Sequence, residues 1–106
     1  MITITVKKRN GAYVSFVSKG HAGYAEEGYD IICAAVSALI INTVNSIDTF
    51  TEDQLKEKED DGFVSFEFLT GPSEKSTLLM DSLLLGLTQI ENSYQKRYLR
   101  VNVREV

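Results

Sequence analysis

Hydrophobic and polar residues alternate over the first nineteen positions in the pattern of two paired strands. Ile2, Ile4 and Val6 are separated by threonines, which is the period of two expected when a strand buries one face. An Asn-Gly pair at positions 10 and 11 then predicts a tight hairpin turn, because both residues tolerate a positive φ. The return strand covers residues 12–19. Its expected faces are Val14 and Phe16 on one side and Tyr13, Ser15 and Val17 on the other.

Two longer segments have the composition of helices. The first, from residue 31 to about residue 46, is apolar almost all round in its first three turns, which predicts burial on several sides. Small residues at Ala34, Ala35 and Ala38 would let a neighbouring element approach closely. The second helix runs from residue 73 to residue 94, with Ser73 as its N-cap. Its expected core stripe is Leu79, Leu83, Leu87 and Ile90, with Leu78 and Leu85 lying off that stripe.

Three further strands complete the expected fold. Residues 51–61 are strongly charged and could form a solvated edge strand or a loop. An Asp-Gly turn signal at positions 61 and 62, followed by another strand, favours the edge strand. That next strand places Val64, Phe66 and Phe68 on one face. The last strand, over residues 98–104, turns Leu99, Val101 and Val103 inward. The order β-β-α-β-β-α-β predicts an α+β fold, with two helices packed on one mainly antiparallel sheet.

Composition narrows the class of protein. A chain of 106 residues has room for a single core, and no apolar run is as long as the roughly 18 residues that a membrane span needs. The basic residues near the N-terminus follow the apolar ones, the reverse of a signal peptide. With only one cysteine the chain cannot crosslink itself, so we expect a cytoplasmic protein. A net charge of −4 disfavours nucleic acid and is compatible with a basic protein as partner.

The chemistry of the chain is concentrated between Gly20 and Cys33. His21 and Cys33 are the only histidine and the only cysteine, too few for a conventional zinc site in a single chain. We therefore expect no metal and no cofactor. Asp30 stands where a helix N-cap is expected, which puts Cys33 in the first helical turn, where the helix dipole favours a thiolate. The pattern predicts a Cys33 nucleophile with His21 as general base.

Other residues near this pair have candidate supporting roles. Asp30 is better explained as a helix cap than as a third catalytic residue, because a capping carboxylate points back at its own helix. Ser37 lies one turn after Cys33, where its hydroxyl can bond the histidine, the substrate or a backbone carbonyl. The segment between the pair is glycine-rich and predicts a mobile loop over a bound peptide. The candidate substrate-loop residues are Gly20, Gly23, Tyr24, Gly28 and Tyr29.

The sequence of this region resembles a known family. The run Gly-His-Ala-Gly-Tyr-Ala at residues 20–25 is followed by Gly-Tyr-Asp-Ile-Ile-Cys-Ala-Ala-Val-Ser-Ala-Leu at residues 28–39. Together they are similar to the bacterial ribosomal-processing cysteine proteases, the Prp family, and the order of elements is similar over essentially the whole chain. The resemblance implies a small endopeptidase of Gram-positive and related bacteria that removes an N-terminal extension from a large-subunit ribosomal protein. It also implies that His21 and Cys33 form the catalytic dyad.

The expected function is therefore peptide-bond hydrolysis through a thioester by one cysteine protease domain over residues 1–106. The oxyanion is expected to meet backbone N–H groups at the helix start. Two alternatives remain open on the residues: a non-catalytic binding module in ribosome assembly, and a redox-sensing thiol. The expected substrate is a basic ribosomal protein precursor. Because Leu78 and Leu85 lie outside the core stripe, we also expect a homodimer, with no direct contact to nucleic acid or a membrane.

Overall fold

The computed structural model describes residues 1–26 and 29–106, which form five strands and two helices in the predicted order. The strands make one sheet in the order β3-β4-β2-β1-β5. All neighbouring pairs are antiparallel except β1 and β5, which run parallel. The α+β class is confirmed. The elements are β1 (Ile2–Arg9), β2 (Ala12–Lys19), α1 (Ile31–Phe50), β3 (Leu55–Asp60), β4 (Phe63–Phe68), α2 (Glu74–Ser93) and β5 (Leu99–Glu105).

Strand β2 differs from its predicted alternation because it contains a bulge. Lys7 pairs with Ser15, but the next residue of β1, Lys8, pairs with Tyr13, which leaves Val14 as an extra residue. A bulge of this kind shifts the side-chain alternation by one position. Tyr13 and Phe16 therefore share the buried face, and the expectation that Val14 and Phe16 share it is wrong. Beyond the bulge, β2 continues regularly into Gly20 and His21.

Helix α1 is longer and less enclosed than expected. It continues to Phe50 rather than ending near residue 46, and Thr51 closes it by donating both its N–H and its hydroxyl to the carbonyl of Ile47. The helix buries one stripe, not several sides, because the sheet and α2 are what cover it within the part of the chain that the structure describes. Ala34, Ala35 and Ala38 lie on the exposed face, so they make no close helix contact. The buried stripe is Ile32, Val36, Ile40, Thr43 and Ile47.

The same helix is long and apolar enough to cross a membrane by length and composition alone. Core helices of globular proteins have the same property. Here the buried stripe of α1 packs in one hydrophobic core with Ile2, Ile4 and Val6 of β1 and with Met80 and Leu83 of α2. The core thus accounts for the apolar residues of the buried stripe, whereas Ile31, Ile41 and Phe50 of the same helix are exposed.

Helix α2 follows its predicted length with a shifted core stripe. Ser73 is the N-cap, as predicted, and its hydroxyl accepts from the N–H of Ser76 at 3.2 Å. Leu79 and Ile90 are only partly buried, because the residue that follows each of them, Met80 and Glu91, lies on the packed face instead. The fully packed stripe is Ser76, Met80, Leu83, Leu87 and Glu91. Leu78 and Leu85 are exposed, as their position off the stripe predicts.

The two edge strands differ in polarity. The charged segment forms β3, an exposed edge strand as predicted, and it pairs with β4 through the turn at Asp61 and Gly62. At the other edge, Leu99 is buried and Val101 packs against the core. Val103 is 52% exposed because the buried part of β5 ends before it, so the prediction that it turns inward is wrong.

Candidate active site

The start of helix α1 is organised by Asp30. One carboxylate oxygen accepts from the N–H of Ile32 at 3.1 Å and of Cys33 at 3.0 Å, and the other accepts from the N–H of Tyr24 at 3.1 Å. Burial opposes ionisation of this carboxyl, but hydrogen bonds from Cys33, Tyr24 and Ile32 outweigh it and lower the pKa of Asp30. The predicted helix cap is confirmed, and Asp30 additionally fixes the loop at Tyr24.

Cys33 is the third residue of α1 and is half-buried. Its Sγ accepts from the backbone N–H of Ala22 at 3.2 Å, and Ala22 itself is 3% exposed. A backbone donor aimed at the sulfur and the positive end of the helix dipole both favour negative charge on that atom. The thiol therefore lies in the first turn of α1, next to a backbone donor, and is still open to a reactant.

His21 lies directly after β2, with 63% of its side chain exposed. Its ring rests against Gly62 in the turn between β3 and β4, and its Nε2 is 3.8 Å from Asp61 Oδ1. The backbone before it is held by a hydrogen bond from Gly20 N–H to Gly62 O at 2.8 Å. Gly20 has a φ of +95°, and a Cβ there would clash with the carbonyl oxygen of Met1, so only glycine fits.

A groove of about 830 Å³ runs between α1 and the β3–β4 hairpin. His21, Cys33, Ser37 and Gly20 all line it, so the structure brings four of the predicted site residues to one surface. Its apolar lining comes mainly from α1 and β4, whereas β3 and its turn supply carboxylates. The apolar lining includes Val36, Ile40, Ile41, Val44, Phe63 and Val64, and the acidic lining is Glu57, Glu59, Asp60 and Asp61.

The remaining predicted loop residues lie elsewhere. The ring of Tyr24 packs edge-on against Tyr94 and Tyr98, at centroid distances of 5.8 Å and 5.3 Å, and does not line the groove. Tyr29 is 77% exposed, and Gly23 has open space around it. Gly28 lies outside the described residues. The predicted contact of these residues with a peptide, and the predicted mobility of the loop, stay predictions.

Sequence reasoning missed the contribution of the β3–β4 turn to this site. From the sequence alone, the Asp-Gly pair at positions 61 and 62 indicates only a turn. The acidic residues before it indicate only a solvated edge strand. Strand β2 pairs with β4, and Lys19 lies opposite Phe63. This pairing places the β3–β4 turn beside the histidine. Only the sheet order reveals this proximity, because the two segments are 40 residues apart in the chain.

Comparison with known proteins identifies the family of the chain. The family model described as cysteine protease Prp matches residues 1–99. The chain belongs to the cysteine protease Prp family. It is 34% identical to the ribosomal processing cysteine protease Prp of Bacillus subtilis, over 90% of this chain and 91% of that protein. The Prp of Staphylococcus aureus is 28% identical over 98% of this chain and all of its own length.

Solved structures of Prp share the fold. The crystal structure of the S. aureus Prp with a covalently linked product peptide superimposes with a TM-score of 0.92, covering 98% of this chain and 100% of that one at 28% identity. The same enzyme with a substrate peptide gives a TM-score of 0.86 at 27% identity. The predicted assignment to an enzyme, a cysteine protease of the Prp family, is confirmed. It favours catalysis over the alternatives of a non-catalytic module or a redox sensor.

Proposed function

We propose that this protein removes the N-terminal extension of a bacterial large-subunit ribosomal protein, with Cys33 as nucleophile and His21 as general base. The observation that carries the proposal is the position of Cys33: it begins a helix, accepts a backbone N–H at its sulfur, and shares one groove with the single histidine. The names of the relatives, which are ribosomal processing proteases, support this choice of substrate.

The reaction follows from the chemistry of the pair. His21 takes the thiol proton, and the Cys33 sulfur attacks the scissile carbonyl carbon to form a tetrahedral intermediate. The C–N bond then breaks, His21 returns the proton to the leaving amine, and the acyl group stays on the sulfur as a thioester. Water, deprotonated by His21, attacks the thioester carbonyl and releases the new carboxylate together with the free thiol.

The oxyanion donors differ from those expected at the helix start. The N–H groups of Ile32 and Cys33 are bound by the Asp30 carboxylate, and that of Ala34 is bound by the Asp30 carbonyl. They are therefore occupied and do not face a substrate. The N–H of Ala22 instead donates to the attacking sulfur at 3.2 Å, so it lies beside the tetrahedral intermediate and can turn to the oxyanion as the sulfur bonds to carbon. We assign it this role.

The lining of the groove supports a basic peptide as substrate. Four carboxylates from β3 and its turn stand along one wall, opposite the catalytic cysteine on α1. Such a wall attracts lysine and arginine side chains, whose charge is common in proteins that bind RNA. The apolar lining from α1 and β4 offers contacts for the hydrophobic residues of an extended peptide. The substrate-loop residues Gly23, Tyr24 and Tyr29 retain their predicted part in closing over that peptide.

We also propose that the protein is a cytoplasmic homodimer. Leu78 and Leu85 lie on the outer face of α2 with exposures of 69% and 62%. Exposed leucines spaced along one helix are typical of a surface that pairs with a partner. Cytoplasmic location follows from the single free thiol and from a substrate that is made in the cytoplasm.

Processing of the precursor tests the proposed function. The purified protein is incubated with the extended ribosomal protein from the same organism, and the products are weighed by mass spectrometry. We expect one cleavage near the N-terminus of the precursor. His21→Ala should slow the reaction by about 10²–10⁴, the usual contribution of a general base. An intact precursor after incubation with the wild-type protein would contradict the proposal.

A further inference from the structure

The turn between β3 and β4 is in direct contact with the imidazole of His21. Gly62 has a φ of +63°, and a Cβ placed on it would lie 2.8 Å from His21 Nε2, 3.3 Å from Cδ2 and 3.4 Å from Cε1. The ring therefore occupies the space that any side chain at position 62 would need. A side chain at position 62 would therefore displace the ring, and the positive φ of the turn also favours glycine there.

Backbone pairing fixes this contact. Lys19 and Phe63 are the last paired residues of β2 and β4, and the Gly20 N–H extends the pairing by donating to Gly62 O at 2.8 Å. The residue before the histidine is thus bonded to the residue that its ring contacts. The orientation of His21 consequently depends on the β3–β4 turn, although that turn is 40 positions away in sequence.

The same turn provides a carboxylate at the imidazole. Asp61 Oδ1 is 3.8 Å from His21 Nε2, and both side chains are well exposed. This separation is longer than a hydrogen bond, and catalytic contacts of free enzymes commonly shorten when substrate binds. The neighbouring Asp60 is differently engaged, because its carboxylate accepts from the Asp61 N–H at 2.7 Å and so stabilises the turn.

Asp30 cannot serve as the carboxylate that orients the His21 ring. Its two oxygens already accept from three backbone N–H groups, those of Tyr24, Ile32 and Cys33. Of the carboxylates that line the groove, Asp61 is the one in ion-pair range of the imidazole. Enzymes with a nucleophile–histidine pair generally use a third group to orient the ring and to stabilise its protonated form.

We propose that the β3–β4 turn is part of the catalytic machinery: Gly62 positions the His21 ring against its surface, and Asp61 orients the imidazole and stabilises the imidazolium. Both are positioning residues that act through His21. The inference rests on the proposed function, since it concerns the general base of that reaction. It predicts that the turn influences the chemical step more than substrate binding.

Two turn glycines provide a matched test of whether Gly62 positions the His21 ring by steric contact. Gly62 and Gly11 both lie in hairpin turns with positive φ, at +63° and +79°, but a Cβ at Gly11 would meet open space. Alanine causes comparable backbone strain at both sites, so the two variants should lose similar thermal stability. Only Gly62→Ala displaces the histidine. We expect it to lower kcat about 10²-fold, the effect of misplacing a catalytic group by about 1 Å, while Gly11→Ala stays within about twofold of wild type.

Substitutions at two neighbouring aspartates test whether the charge of Asp61 acts on His21. Asp61→Asn should lower kcat about threefold to fivefold, as suits an exposed ion pair. Asp60→Asn removes the same charge from the same acidic wall and keeps an oxygen for the Asp61 N–H. Both variants should therefore raise KM for a basic substrate to a similar extent, and only Asp61→Asn should also lower kcat. If Asp61 acts on the substrate alone, kcat will be the same in the two variants.

Alkylation of Cys33 by iodoacetamide at pH 6.5 provides a readout that needs no substrate. The rate should fall in Gly62→Ala and Asp61→Asn and stay at the wild-type value in Gly11→Ala and Asp60→Asn. If the wild-type protein processes the precursor while Gly62→Ala matches Gly11→Ala and Asp61→Asn matches Asp60→Asn, the inference is wrong and the proposed function stands. If the wild-type protein does not process the precursor, the proposed function is wrong, and equal alkylation rates in all four variants would overturn the positioning role as well.

Discussion

At the scale of single residues, Asp30 joins the helix start to the loop that follows the histidine. Its carboxylate satisfies two N–H groups of the first turn and one of Tyr24. Those bonds hold the Cys33 backbone, while Ala22, two residues before Tyr24, donates to the Cys33 sulfur. The Asp30 carboxylate thus helps to determine where the Cys33 sulfur and its backbone donor meet.

Replacement of Asp30 should separate its acceptor role from its charge. Asp30→Ala removes all three hydrogen bonds, and we expect it to lower the free energy of unfolding by about 1–2 kcal/mol, the usual cost of losing an N-cap. Cleavage should slow as well, because the loop at Tyr24 is released. Asp30→Asn keeps an acceptor oxygen and is a good N-cap, so it should lose less stability. Urea unfolding at pH 7 measures both variants; equal stability of the alanine variant and wild type would contradict the role.

The pH dependence of stability follows from the lowered pKa of Asp30. Folding lowers this pKa below its ordinary value of 3.8, so the folded state binds the proton less readily than the unfolded state. The stabilisation is therefore present above about pH 4 and is lost as the pH falls through the lower pKa of the folded protein. The difference in unfolding free energy between wild type and Asp30→Asn should shrink from pH 5 to pH 2.5. A constant difference over that range would contradict the assignment.

At the scale of elements, the loop after His21 is attached to the connection between α2 and β5. Tyr24 contacts Tyr94 and Tyr98, and those two rings also pack edge-on against each other at 6.0 Å. The cluster of these three tyrosines links the segment that donates to Cys33 with a part of the chain 70 residues away. The loop is thus supported from outside the groove.

The loop offers a matched pair of tyrosines for testing this support. Tyr24→Ala should lower stability by about 0.5–1.5 kcal/mol through the lost aromatic contacts, and it should slow alkylation of Cys33 because the Ala22 N–H is less well placed. Tyr29 is 77% exposed in the same loop, so Tyr29→Ala should change stability by less than about 0.5 kcal/mol. Thermal unfolding and alkylation rates compare the two. Identical behaviour of both variants would show that the tyrosine cluster has no such role.

The predictability of the fold differed between elements for physical reasons. Element order and the Asp30 cap follow from local patterns, and these were correct. The β2 bulge was not predictable, because the extra residue at Val14 is defined by its partner strand. The burial of α1 is lower than its sequence predicts, because apolar composition does not show how many neighbouring elements cover a helix. The motif predicts the Cys33–His21 pair, whose catalytic role stays a prediction, whereas Gly62 and Asp61 reach the histidine only through the β2–β4 pairing.

At the scale of the whole molecule, the outer face of α2 is the proposed surface of the homodimer. Leu78→Lys and Leu85→Lys together should produce a monomer, because each places a charge in the apolar contact. Val103→Lys is the control, since Val103 is also exposed, at 52%, on β5. Sedimentation at micromolar concentration should give a dimer for wild type and the control. A wild-type monomer under these conditions would contradict the proposal.

The central claim is that Cys33 becomes covalently acylated by the substrate. The most direct measurement is the intact mass of the protein after mixing with the precursor and quenching with acid within seconds. We predict a species heavier than the free protein by the mass of the released N-terminal fragment minus water, with the adduct on Cys33. Cys33→Ala and Cys33→Ser should fold, lack the thioester adduct and leave the precursor intact. Cleavage of the precursor by Cys33→Ala would contradict the account.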